Sequence, residues 1–361
     1  MNNQNISYNE KIDHLRFFAA LMVLMFHTEW LTPQRLTSWI PVFHDGHAGV
    51  QLFMVISGFI LTLIVHEREI NIPGFYRNRI LRIYPLFIFV VSLGYFLSVE
   101  HQASKGLEYL LALLPISNMY RNSYGAFGGT LWSVAVELQF YLLFPFLITA
   151  IQKYGEKFGY LLIAMMLVLR AAVFVHTGSA HHFSYFTIFG AMDSFVMGII
   201  AARFHLRTRL ELNVWMPIAI LAIINVIIAI LFTGNFFHVD YANGAPVSNS
   251  KLWIVWPTIA AALFALFTVS YLKSNHRLPF SPVIATFGKW SYSSYVWHWM
   301  IIVAVMRLVG SYGLHPYFVG AFLVLPLTIA WSAISYYLIE RPFLDKRMKY
   351  IDRLSVTRPP H

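Results

Sequence analysis

The chain has 361 residues, 58% of them hydrophobic and 17% aromatic, and only 12% charged, against the ~25% of ordinary globular chains. That balance argues against a water-soluble domain and for an integral membrane protein. The absence of cysteine excludes disulfides, thiolate metal sites and a cysteine acyl-enzyme, and the net charge of +10 is scattered over helix ends, leaving no basic nucleic-acid-binding domain.

The opening MNNQNISYNE is polar and lacks a basic n-region and a small-residue cleavage site, so the reading is no cleaved signal peptide and a first helix that starts transfer. Ten apolar runs of spanning length follow, at 13–30, 47–66, 80–98, 131–151, 158–176, 185–203, 213–233, 252–272, 290–310 and 317–339. The segment 99–130 holds a shorter apolar stretch, LEYLLALLPI, too short to span and suited to a re-entrant or interfacial position. The expected architecture is an all-α integral membrane protein of about ten transmembrane helices. Residues 1–345 form the transmembrane domain and 346–361 a basic cytoplasmic tail, with disorder expected after Pro342. If the N-terminus is cytoplasmic, 20 basic residues fall on that side and only Arg35, Lys105, Arg121 and Lys251 on the other. The positive-inside rule then sets both termini in the cytoplasm.

Ionisable residues inside lipid are costly and mark candidate sites. In the first run Arg16 and His27 stand eleven residues apart, roughly 16 Å along a helix, so one lies near a membrane face and the other deep. Glu137 sits at a matching depth in TLWSVAVELQFYLLFP. Together the imidazole and carboxylate read either as a general base with an orienting partner or as hydrogen bonds between packed helices. Arg79 and Arg82 share one helical face in FYRNRILRIYPLF. Two forked guanidiniums suit phosphate, although interfacial arginine is also a plain topology signal. His298, between Trp297 and Trp299, reads equally as functional or as packed and hydrogen-bonded. Asp193 adjoins a small-residue stripe of Gly190, Ser194 and Gly198. It is expected to pair with Arg170 or Arg307 or to line a cavity. His44, Asp45 and His47 in FHDGHAG could catch a metal ion, but two loop histidines without an established third and fourth ligand do not make a site, so no metal is expected.

Taken together, the motifs resemble the acyltransferase-3 family of multi-pass membrane acyltransferases, over nearly the whole chain. The resemblance rests on IDHLRFFAALMVLMFH with its Arg-x10-His spacing, GVQLFMVISGFIL, the R-x-x-R of RNRILRIYP, LWSVAVELQFYLLFP, SYSSYVWHWM and YYLIERPF. It implies acyl-CoA, usually acetyl-CoA, as a co-substrate from the cytoplasm, with no permanently bound cofactor, and a hydroxyl of a cell-surface or exported polysaccharide as acceptor. It further implies His27 and Glu137 in the catalytic centre and Arg16, Arg79 and Arg82 toward the donor. Gln51 stands where the family often has an acid, which points to a difference in acceptor. The family's soluble extension is not expected here, so the acceptor is expected to be handled by the membrane domain or by separate polysaccharide-assembly proteins. The expected location is a bacterial cytoplasmic membrane. A reading from another class, a saccharide or lipid-linked saccharide transporter or flippase, fits the same intramembrane charges, but the chain lacks the paired interrupted helices of inverted repeats.

Overall fold

The structure, a computed structural model, describes residues 9–31, 40–66, 68–97, 104–119, 130–234, 236, 240–242 and 245–353. Arg35, Arg121, Arg358 and most of the polar opening, all of which entered the charge argument or the signal-peptide reading, lie outside them. Helix α1 spans Glu10–Leu31, α2 Gly46–Val65, α3 Ile72–Leu97, the short α4 Ser104–Ala112, α5 Trp132–Tyr154 and α6 Glu156–Thr177. After the short α7, His181–Phe186, come α8 (Ile188–Arg207), α9 (Trp215–Thr233), α10 (Trp256–Lys273), the short α11 (Ser281–Lys289) and α12 (Ser291–Val309). The last long helix is continuous from Pro316 to Leu344. It is built from α13 (Pro316–Val319), α14 (Leu325–Ser335) and α15 (Arg341–Leu344), joined by wider π turns at Gly320–Val324 and Tyr336–Glu340.

Each of the ten apolar runs falls on one of these long helices. Among the described residues, nine are long and apolar enough to cross a membrane. The remaining one, α1, has the length but carries Glu10, Lys11, Asp13 and Arg16 at one end and Glu29 near the other. It nonetheless packs among α2, α11 and α12 inside the bundle. The stretch at 107–116 forms α4 and a turn, and it exposes Leu107, Leu110, Leu114 and Ile116, in keeping with a short segment at an apolar interface.

The bundle is organised around α2, of whose apolar stretch 78% is buried, while α9, at 17%, is a peripheral lipid-facing helix. Close approach of α2 to α8 depends on glycine. A Cβ on Gly58 would meet the Phe195 carbonyl oxygen at 2.2 Å, and one on Gly198 the Val55 oxygen at 2.1 Å, the small-residue packing that stands in for a hydrophobic driving force in lipid. Gly288 does the same for α11 against the Asp13 carbonyl oxygen of α1.

The basic tail departs from expectation. Residues 343–353 are not a free end: β4 (Ile351–Arg353) pairs antiparallel with β1 (Arg68–Ile70), matching Ile70 to Ile351, and Tyr350 is buried. A second hairpin, β2 (Asp240–Ala242) with β3 (Ala245–Val247), lies between α9 and α10.

Candidate active site

A cavity of about 320 Å³ opens among α1, α2, α3, α5, α12 and the end of the last helix, a size at the lower end of small-molecule sites. Helix directions give its depth. It follows α2 from Ile64 back to Val50, some 21 Å at 1.5 Å per residue. At the mouth stand Asp13, Lys289, Leu344 and Arg347; Arg16, Arg79, Arg82 and Tyr292 come next; then Ser57, Glu137 and Tyr141; Ser133 and Tyr295 close the inner end. Five of the lining side chains are basic and two acidic, so the mouth carries an excess of positive charge.

The arginines are held by aromatic rings and few carboxylates. Arg79 lies over the rings of Phe75, Tyr141 and Tyr350, and its buried Nε has no hydrogen-bond partner. Arg82 covers Tyr292 and reaches Glu340 at 3.5 Å, leaving one buried Nη2 without a partner. The π turn at Tyr336–Glu340 is what turns Glu340 inward, where Ser293 donates to it. Arg16 reaches Asp13 at 3.6 Å. Such partly satisfied guanidinium forks, lining one cavity, have donors left over that an anion could use.

The orienting partner expected for His27 is not the one found. No hydrogen bond or ion pair joins His27 to Glu137. Glu137 accepts from Ser57 Oγ at 3.0 Å and from the Tyr141 hydroxyl, on the cavity wall. His27 Nδ1 lies 3.0 Å from the Val23 carbonyl oxygen and 3.1 Å from His298 Nε2. His298 Nδ1 in turn lies 2.5 Å from the Tyr295 carbonyl oxygen. A carbonyl oxygen only accepts, so Nδ1 carries the proton on both rings and His298 Nε2 accepts from His27. This leaves Nε2 of His27 as the unprotonated lone pair. The reason is geometric: α5 turns Glu137 toward α2 and the cavity, while α12 brings His298 within reach of α1. The pair sits just behind the inner end of the cavity, since His298 follows Tyr295 by one turn of α12 and Tyr295 donates to the Thr130 carbonyl oxygen there.

The other candidates lie apart. Asp193 is fully buried with Arg170 at 2.5 Å, and Thr258 bonds both residues, an ion pair between α6, α8 and α10 rather than a cavity lining. Gln51 is buried on α2 outside the cavity lining, with neither amide atom hydrogen-bonded. In the segment between α1 and α2 His44 pairs with Glu29 at 3.1 Å, Asp45 caps α2 through His47 N, and the His47 ring stacks on Tyr185 at 4.2 Å.

Sequence reasoning passed over Ser57, Tyr141, Tyr292, Tyr295, Glu340 and Arg347. Glu340 carried a usable signal, a carboxylate at the end of an apolar run in YYLIERPF. The hydroxyls carried none, because serine and tyrosine are ordinary in such helices.

Comparison with known proteins shows the family of the chain. O-acetyltransferase OatA of Staphylococcus aureus strain NCTC 8325 / PS 47 is 29% identical over 95% of this chain. OatA of strain MRSA252 matches to the same degree. The chain spans 58% of the length of these relatives. No solved structure matches it. The acyltransferase-3 domain (Acyl_transf_3, acyltransferase domain) matches residues 9–337, nearly the whole chain, and the protein therefore belongs to that family.

Proposed function

We propose that this protein is a membrane O-acyltransferase that takes an acyl group, acetyl in the simplest case, from acyl-CoA and delivers it to a hydroxyl of a cell-surface or exported polysaccharide. The observation that carries the reading is the cavity with arginines at its mouth and a tautomer-fixed histidine pair behind its inner end. A CoA thioester has its phosphates at one end and its reactive carbonyl at the other. Arg16, Arg79 and Arg82 receive the phosphates, and the pantetheine arm runs past Glu137 toward His27. The distribution of basic residues supports a cytoplasmic mouth with both termini inside; in this reading the membrane is a bacterial plasma membrane and the acceptor approaches from the opposite face.

Direct transfer is the simplest chemistry for this arrangement. His27 Nε2 takes the proton of the acceptor hydroxyl as its oxygen attacks the thioester carbon. The tetrahedral intermediate then collapses, the carbon–sulfur bond breaks, and the thiolate leaves with that proton as CoA–SH. The imidazolium formed in between donates from Nδ1 to His298 Nε2. Glu137 belongs to the same centre from the cavity side, where it fixes the hydroxyls of Ser57 and Tyr141. The polysaccharide acceptor rests on the family resemblance and on relatives named O-acetyltransferase, which are longer than this chain.

The test is acyl transfer by purified protein supplied with labelled acetyl-CoA and a polysaccharide acceptor. His27→Ala is expected to abolish transfer and leave insertion intact, because alanine suits a membrane helix and removes only the imidazole. Turnover near wild type in that variant would remove His27 from the chemistry. Saccharide flux into liposomes without CoA would replace the enzyme with a carrier.

A further inference from the structure

The tail expected to leave the bundle forms part of the cavity mouth. Arg347 lines the cavity alongside Arg79 and Arg82. Its Nε donates to the Leu344 carbonyl oxygen at 3.1 Å, which fixes the stem and leaves the two Nη groups for another partner. Among the described residues no carboxylate lies within ion-pair reach of it. Arg347 keeps an exposed surface; partial desolvation first, and then the like charges of Arg82 and Arg79, lower its pKa.

The segment that carries Arg347 is tied down by specific bonds. Buried Asn78 of α3 donates to the Met348 carbonyl oxygen at 2.5 Å and accepts from Met348 N at 2.9 Å, so both ends of one amide are used on this strap. Asn71 N donates to the Tyr350 oxygen at 2.9 Å, Tyr350 stands edge-on to Phe75 at 5.6 Å, and the β1–β4 pairing closes the far end. A free cationic tail would need none of this, and detaching the strap would leave the Asn78 amide buried without partners.

We propose that residues 346–353 are a strap forming one wall of the donor mouth and that Arg347 is a phosphate-binding residue whose ligand is the phosphorylated end of the acyl-CoA donor, an assignment that rests on the donor reading above. A planar fork opposite Arg79 and Arg82 holds a phosphate from two sides, with the bidentate geometry that lysine lacks. The same chemistry is offered by an anionic lipid headgroup, and the experiment separates the two sources.

Binding of CoA to the purified full chain is measured in neutral detergent and in nanodiscs with and without phosphatidylglycerol. Arg347→Gln is expected to weaken CoA about tenfold or more in neutral detergent. Asn78→Leu, which releases the strap and leaves every charge in place, is expected to weaken it comparably. Should Arg347→Gln fail to fold, Arg347→Lys carries the test, with a smaller but measurable loss of affinity. Unchanged CoA affinity in the folded variants overturns the proposal, and so does a loss seen only in nanodiscs containing phosphatidylglycerol, which would make the bound phosphate a headgroup. A wild type that binds no CoA removes the donor reading and the strap with it, whereas a wild type that binds, with variants that bind equally, removes only the strap.

Discussion

His27 and His298 illustrate how one hydrogen bond assigns different work to two similar side chains. His298 Nδ1 is committed to the Tyr295 carbonyl oxygen, so its Nε2 is free only to accept, and what it accepts is the Nδ1 proton of His27. On the proposed mechanism His298 acts through His27 as a positioning residue, sharing the Nδ1 proton with the Val23 carbonyl oxygen and so helping to hold the tautomer that exposes Nε2. Replacing it separates position from packing. His298→Leu is expected to lower kcat about a hundredfold, in line with the worth of a well-placed base, with little change in KM for the donor. His298→Gln, whose amide oxygen can accept the same proton, should recover much of that loss. Equal damage by leucine and glutamine, accompanied by a lowered melting temperature, would reduce His298 to a packing residue.

At the scale of the helix, the start of α2 shows how a cap is coupled to burial. Asp45 accepts from His47 N at 3.0 Å as the N-cap, a role that satisfies one of the free amides of the first turn. Burial pushes its carboxyl up from the ordinary 3.8 to about 7. Below pH 3.8 the group is neutral whether folded or unfolded and costs nothing. As pH rises the unfolded chain ionises first, so the folded state loses stability progressively until the carboxyl itself ionises near pH 7. Asparagine caps as well as aspartate and has no charge to desolvate. Asp45→Asn is therefore expected to melt later than wild type at pH 8 in thermal unfolding, with an advantage that shrinks toward pH 5. An advantage independent of pH would mean that burial of the charge is not its source. The last long helix shows a second device, a π turn that re-aims Glu340 toward Arg82 without ending the helix.

For the whole molecule, helix directions set the order of functions from mouth to interior. The start of α1, the arginines of α3 and the tail strap gather at one end of the bundle, and the histidine pair lies beyond the far end of the cavity. A donor read by charge at one end and by shape along the rest predicts a particular salt response. Arg79→Gln with Arg82→Gln should weaken CoA binding markedly at low ionic strength and flatten its dependence on salt, since ions that enter the open mouth screen phosphate contacts made there. Topology should survive, because Arg68 and Arg77 remain in the same segment. CoA titrations of the double variant at low and high salt check this, and an unaltered affinity with an unaltered salt slope would leave these arginines as topology signals. The Arg170–Asp193 pair lies outside this gradient and ties α6 to α8.

What the sequence determined by itself was the helical bundle and the rough depth of its charges. Apolar runs of about 20 residues are a local property, fixed by the thickness of hydrocarbon and the need to satisfy every backbone group within one segment. Arg16, Arg79, Arg82 and Glu137 were legible for the same reason, because an ion in an apolar run stands out wherever its helix packs. Which side chains face one another was decided by rotation of the helices about their axes, and spacing along a single helix does not record it. Thus His27 meets His298 and not Glu137, Asp193 meets Arg170 of its two expected partners, and Gln51 is not among the side chains that line the cavity. The tail was misjudged because its bonds run to Asn78 and Asn71, some 270 residues earlier in the chain, and only close packing of the last helix against α3 brings those partners together.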